Sequence, residues 1–171
     1  DETYKPFCHV FRPGSSDAFL TKGPGGKFPH HRGIYYGFSK CSYVGADGKT
    51  QKNIDTWHCR KAHQVHREFL KQEAGADSAT FTSRIEWIDN EGKPFASEKR
   101  SMTFSHEGSA LIVDFDSTLK PLVSELTVDG DPQHAGFQYR ANNHVAEKTA
   151  KQTIYTRPES GEAKPGATIN W

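Results

Sequence analysis

A chain of 171 residues with 34% hydrophobic side chains is long enough for one domain with its own core and too short for two of ordinary size. Lys and Arg number 22 against 21 Asp and Glu, and this balance excludes the strong basic field of a nucleic-acid binder. No stretch approaches the ~20 apolar residues of a membrane-crossing helix.

From Asp1 to Val10 no signal-peptide pattern occurs, so the chain is either cytoplasmic or a mature form whose signal was removed. Cys8, Cys41 and Cys59 allow at most one internal bridge, and their spacing contains no CxxC. Pro13–Pro29, rich in Gly, Pro and Ser, predicts a long loop of the kind that carries function. Gly33–Tyr43 is aromatic and β-prone, and Ala46–Lys49 has turn chemistry. Val65–Gln72 predicts a strand, although Arg60–Gln72 also resembles a helix. Ser78–Ile88 alternates Phe81, Ser83, Ile85 and Trp87 with Thr82, Arg84 and Glu86, a period of two with one apolar face. Asp89–Gly92 turns the chain into a second strand, Phe95–Phe104, and His106–Gly108 turns it into a third, Ala110–Leu119. These three predict an antiparallel meander. Pro158–Gly166 reads as a loop, and Ile169–Trp171 as the start of an apolar strand. The expected fold is all-β: one antiparallel β-sandwich domain over residues 1–171, incomplete at the C-terminus.

Nine histidines beside a single methionine are the unusual count. Imidazole is the commonest metal ligand and titrates nearest neutral pH. Three polar clusters draw on it. The first is Phe28-Pro29-His30-His31-Arg32-Gly33, where Pro29 and Gly33 permit a bend that brings both imidazoles to one site. The alternative is a histidine pair pinning a loop to the sheet. The second is Asp55-Thr56-Trp57-His58-Cys59-Arg60, followed by His63 and His66. Asp55 there can orient an imidazole through its second nitrogen. Trp57 offers a face for a sugar ring or, more commonly, fills a core. The third is Gln133-His134-Ala135-Gly136-Phe137-Gln138-Tyr139-Arg140, a strand with Phe137 and Tyr139 on one side and Gln138 and Arg140 on the other. Glu98 and Arg100 are natural partners for an inward Gln138 and Arg140, either as a pocket wall or as a polar ladder. No GxSxG, Walker loop, GxGxxG or HExxH occurs, so a nucleophilic Ser or Cys has no support.

The segments PHHRGIYYGF (Pro29–Phe38), DTWH (Asp55–His58), IEWIDNEGKPFASEKRSMTF (Ile85–Phe104), IVDFDSTL (Ile112–Leu119) and QHAGFQYRANN (Gln133–Asn143) stand in this order. In that order they resemble the bacterial family called PmoA-like, from about Pro6 to the end. The resemblance implies a periplasmic or secreted protein of polysaccharide-degrading bacteria, with a large sandwich similar to the galactose-mutarotase supersandwich. Methane oxidation is not implied, because the methane-oxidising subunit of that name is a helical membrane protein. Family members continue well past the position of Trp171, so this is either a truncated or proteolysed product or a chain whose remaining strands come from a second polypeptide, and the expectation is a second chain or a homo-oligomer that completes the sheet.

The expected function is therefore a carbohydrate-active enzyme of lyase, hydrolase or epimerase type. His30, His31, His134 and Glu98 are its candidate catalytic groups. Arg32, Trp57, Tyr35, Arg100, Gln133 and Arg140 are candidates for gripping the saccharide. A divalent metal, where one is bound, would take His30, His31, His58 and His134. The competing expectations are a non-catalytic sugar-binding module and a structural subunit completed by a partner.

Overall fold

The computed structural model describes residues 4–12, 15–131 and 133–145, and the backbone of 155–157 and 161–163. Every named element is a strand: β1 (Ile34–Phe38), β2 (Cys41–Val44), β3 (Thr50–Ile54), β4 (His63–Ala74), β5 (Ser78–Ile88), β6 (Pro94–Glu107), β7 (Ala110–Pro121), β8 (Glu125–Thr127), β9 (Ala135–Tyr139), β10 (Tyr155–Arg157) and β11 (Gly161–Ala163). Among the described residues no helix is long and apolar enough to cross a membrane. The chain divides into two compact units. Unit 1 holds Asp1–Pro6 and Phe38–Asp129, and unit 2 holds Phe7–Gly37 and Gly130–Trp171.

Unit 1 is built on a four-stranded antiparallel sheet in the order β4-β5-β6-β7. The expected meander is its β5-β6-β7 part, and β5 covers the residues that the period of two marks out. Alternation sends Ile85, Trp87 and Met102 into the core, with exposures of 1%, 0% and 2%. The opposite face is a polar ladder in which Thr80 meets Thr103 at 2.9 Å and Thr82 meets Ser101 at 3.1 Å. A second antiparallel sheet, β3-β2-β8, packs against the first. Tyr43 of β2 stacks on Phe95 of β6 at 5.6 Å, and its hydroxyl donates to Asp89 at 2.7 Å. Two facing antiparallel sheets with Tyr43, Ile54, Trp57, Trp87 and Phe95 between them realise the expected all-β sandwich within this unit.

The Asp89 turn shows how the hairpin is fixed. Asp89 Oδ1 accepts the Glu91 and Lys93 amides, both at 2.8 Å, and Gly92 takes φ 85°. Burial alone would raise the Asp89 carboxyl. The bonds from Tyr43 and the two amides, with the Lys93 cation, outweigh it and hold the group below its ordinary range. Burial and the neighbouring Asp89 carboxylate push Tyr43 up to about 12.

Several boundaries differ from expectation. β4 begins at His63 and is the fourth strand of the sheet. Its register shifts between His66 and Glu68 and again between Phe69 and Lys71. These two irregularities break the period of two, which is why the segment also reads as a helix. The aromatic stretch 33–43 is two strands in different sheets, interrupted at Ser39 and Lys40. β6 runs on to Glu107, so the turn expected at 106–108 is centred on Gly108 at φ 58°.

Unit 2 contains the two-stranded sheet β1-β9 and the hairpin β10-β11. Gly161–Ala163, expected in a loop, pairs antiparallel with Tyr155–Arg157. Segment 15–29 is a long irregular stretch with isolated bridges at Phe19 and Thr21, as its Gly and Pro content predicts. Its irregular chain is knitted together at Gly33. Cys8 and Ile34 exchange backbone bonds at 3.0 and 2.9 Å, Gly33 donates to Lys22 at 2.9 Å, Lys22 donates to Arg140 at 2.8 Å, and Arg140 donates back to Gly33 at 2.8 Å. The strand start expected at Ile169–Trp171 lies outside the described residues.

Candidate functional site

In unit 1 the expected catalytic Glu98 is fully buried and engaged on every side. Its Oε2 accepts Trp87 Nε1 at 2.8 Å and Arg100 Nη2 at 2.9 Å, and its Oε1 accepts Arg100 Nε at 2.7 Å and Ser117 Oγ at 2.8 Å. Arg100, 4% exposed, also donates to Gln64 Oε1 at 3.1 Å and to the Pro6 carbonyl at 3.4 Å. Alternation on β6 puts the pair on the inner face, and burial demands the partners that β4, β5 and β7 supply. Glu98 and Arg100 therefore hold the sheet, a correction to their expected roles in acid-base chemistry and saccharide binding. The partner of the Glu98 carboxylate is Arg100 of the same strand, two residues on.

Trp57 is also corrected. At 1% exposure it has no ring face left for a sugar, and the Lys5 ammonium lies 5.3 Å over its ring and donates to its carbonyl. His58 beside it is oriented as Asp55 predicts. Asp55 Oδ2 lies 2.8 Å from His58 Nδ1, while Oδ1 accepts the Trp57 and His58 amides at 3.0 and 2.8 Å. Burial raises the Cys41 and Cys59 thiols to about 12, so neither is an activated nucleophile.

Unit 2 holds the other candidates. The turn Phe28–His31 closes with the His31 amide donating to Phe28 O at 3.0 Å, and Pro29 takes the second turn position. This bend brings His30 and His31 together, their rings 4.2 Å apart and edge to face. His31 is buried, stacked 6.0 Å from Tyr35. Tyr35 is 1% exposed and gives a sugar no face, a further correction. Arg32 is 7% exposed, donates Nε to Pro29 O at 2.9 Å and lies 5.8 Å over Phe7, so it clamps the turn. His134 meets Asp131 at 2.6 Å through Nδ1, the same Asp-x-x-His device as Asp55 and His58. Gln133 is exposed, with its amide on Asp131 Oδ1 at 3.0 Å, and Arg140 contributes its backbone to the Gly33 junction.

Of the expected metal ligands, His58 belongs to unit 1 and His30, His31 and His134 to unit 2. Among the described residues no group of three or more His, Cys, Asp or Glu side chains is placed to hold a metal ion.

Unit 2 also exposes aromatic rings that the sequence clusters do not mark as site residues. Phe11 is 38% exposed, Phe19 44%, Phe28 46% and Tyr139 52%. Phe19 lies 4.7 Å from Phe11 and 5.1 Å from His9, and Tyr139 donates to Leu20 O at 3.0 Å. Phe28 stands 6.3 Å from His30, with the Lys27 ammonium 5.2 Å over its ring. Its φ of 57° is a left-handed conformation that a bulky side chain rarely adopts. A signal was present, since Phe28 directly precedes Pro29 in the first cluster, but exposure is not written in residue type.

His9 lies beside Phe19 and is bonded to Thr21 Oγ1 at 3.1 Å. Burial, and then the Arg32 cation, lowers its pKa below the ordinary 6.5. Unfolded His9 thus takes a proton that the native form resists. Its contribution is present above the unfolded pKa and is lost as pH falls from there toward the folded pKa. We expect the melting temperature to drop as pH falls through and below 6.5, and His9→Gln to flatten that slope. An NMR titration of the His9 ring at or above the ordinary value would refute this.

No curated protein and no solved structure matches the chain. Residues 1–171 match the family of unknown function DUF6807, and the chain belongs to that family.

Proposed function

We propose that the protein binds saccharide through the exposed aromatic and imidazole side chains around Phe28 in unit 2. Phe28 carries the reading. Holding a phenylalanine left-handed costs about 1–2 kcal/mol, and such strain concentrates at ligand clamps. Here the strained residue turns its ring to solvent beside His30 and Lys27. Flat apolar faces next to polar donors suit the mixed surface of a sugar ring. The use of Glu98 and Arg100 in the sheet favours a binding module over hydrolysis by paired carboxylates. Kinship with the PmoA-like proteins, a galactose-mutarotase-like architecture and a periplasmic or secreted setting belong to the same proposal, on the strength of PHHRG and QHAGFQYRA.

Affinity electrophoresis and calorimetry against a panel of plant and bacterial polysaccharides test it. We expect one polysaccharide to be bound and Phe28→Ala to weaken binding about tenfold or more. Phe28→Gly should lose affinity likewise without loss of stability, since glycine removes the left-handed strain. Wild type that binds none of the panel, or Phe28 variants that bind undiminished, would refute the reading.

One observation favours a second reading, an enzyme: Asp55 fixes the His58 ring as a general base requires. Oligosaccharide turnover that disappears in His58→Asn would support it.

A further inference from the structure

The two edges of the unit 1 sheet differ in kind. β4 carries two register irregularities and the charges Arg67, Glu68, Lys71 and Glu73, the usual devices that spoil an edge for pairing. β7 has none of these irregularities. All twelve residues from Ala110 to Pro121 pair with β6 in one continuous register, and among the described residues no further strand lies beyond β7 in this sheet. A long regular edge is a template for another strand.

The charges on β7 indicate which strand. Asp114, Asp116, Thr118 and Lys120 are exposed on the solvent face, and Val113, Phe115, Ser117 and Leu119 are half-buried on the other. On β4 and β5 the charges of the solvent face are paired: Arg67 lies 2.7 Å from Glu86, and Arg84 lies 2.7 Å from Glu68. Asp114, Asp116 and Lys120 form no ion pair among the described residues. A second β7 running antiparallel across a two-fold axis at Ser117 gives them partners. Asp114 then faces Lys120 of the second copy, and Lys120 faces its Asp114. Asp116 faces Thr118, and Phe115 faces Leu119 on the apolar side. Centring the axis on Phe115 instead opposes Asp114 to Asp116 twice, and centring it on Asp116 opposes that residue to itself, both repulsive. A two-fold interface of this kind is self-complementary, as closed dimers require. We propose that β7 is a homodimerisation edge, joining two unit 1 sheets into one eight-stranded sheet about Ser117.

Sedimentation equilibrium on the whole 171-residue chain, at low and high salt, tests this independently of any sugar. Wild type should reach twice the 19.1 kDa chain mass. Lys120→Asp and Asp114→Lys should each weaken the dimer by about tenfold or more. The double variant Asp114→Lys/Lys120→Asp should restore it, because the charges are merely exchanged. All three positions of exchange, 114, 116 and 120, lie on an exposed face, and circular dichroism confirms folding in each variant. A monomer at every concentration, single variants that dimerise like wild type, or rescue by Asp116→Lys/Lys120→Asp in place of the stated pair would overturn the proposal.

Discussion

Gly33→Ala should unfold much of unit 2 while leaving unit 1 intact. Gly33 has φ 54°, and a Cβ built there would lie 2.1 Å from the Cys8 carbonyl oxygen. The oxygen belongs to backbone that bonds Ile34, so it cannot swing aside as a side chain tip would. The left-handed conformation alone costs a side chain about 1–2 kcal/mol. Forcing Cys8 away adds the loss of the Cys8–Ile34 exchange and disturbs the Lys22, Arg140 and Gly33 junction. The expected total exceeds about 3 kcal/mol, in the range reserved for backbone strain at a special position. Gly48→Ala and Gly92→Ala are the controls. Their φ values are 76° and 85° with nothing within 4 Å, so each should cost only the conformational part, about 1–2 kcal/mol. Hydrogen exchange read by mass spectrometry over residues 7–37 and 38–129 separates the cases. Protection in Gly33→Ala equal to that in Gly48→Ala would refute the packing argument.

Glu98→Leu should be the most damaging single change in unit 1. It strips Arg100 of its carboxylate in a site 4% exposed and leaves Trp87 Nε1 and Ser117 Oγ without their acceptor. Removing one partner of a buried pair costs about 3–5 kcal/mol, because a desolvated charge is left behind. Replacing both ions with apolar groups is far milder, so Glu98→Leu/Arg100→Met should recover most of the loss. Trp87, in direct contact with Glu98, supplies a fluorescence signal for urea unfolding. A double variant no more stable than the single would show that the network matters for shape, not for charge.

What could be read beforehand followed physical period. β5, β6 and β7 declare themselves because each alternates cleanly and is bounded by Asp89–Gly92 or by Gly108. β4 does not, since its two register shifts move the alternation out of phase. The aromatic run 33–43 hides its break at Ser39 and Lys40 because both flanking pieces have the same β-prone composition. Site residues were harder still. His30, His31 and Arg32 meet at one turn, as Pro29 and Gly33 suggested. Glu98 and Arg100 alternate identically whether they line a pocket or lock a sheet, and only the side chains of Gln64, Trp87 and Ser117 decide between the two. Trp57 and Tyr35 lie in the core while Phe28 lies at the surface, a difference that residue type does not carry. An aromatic side chain looks the same in sequence inside a core or out of it, and long-range packing chooses.

The kinked β4 edge has a consequence for behaviour at high concentration. A sheet with two receptive borders grows without limit and ends as a fibril. One whose second border is blunted by local misalignment and alternating charge has nowhere to add a third molecule. Crowding should therefore drive this protein toward a finite particle, and the concentrated solution should stay clear and free of thioflavin-binding material.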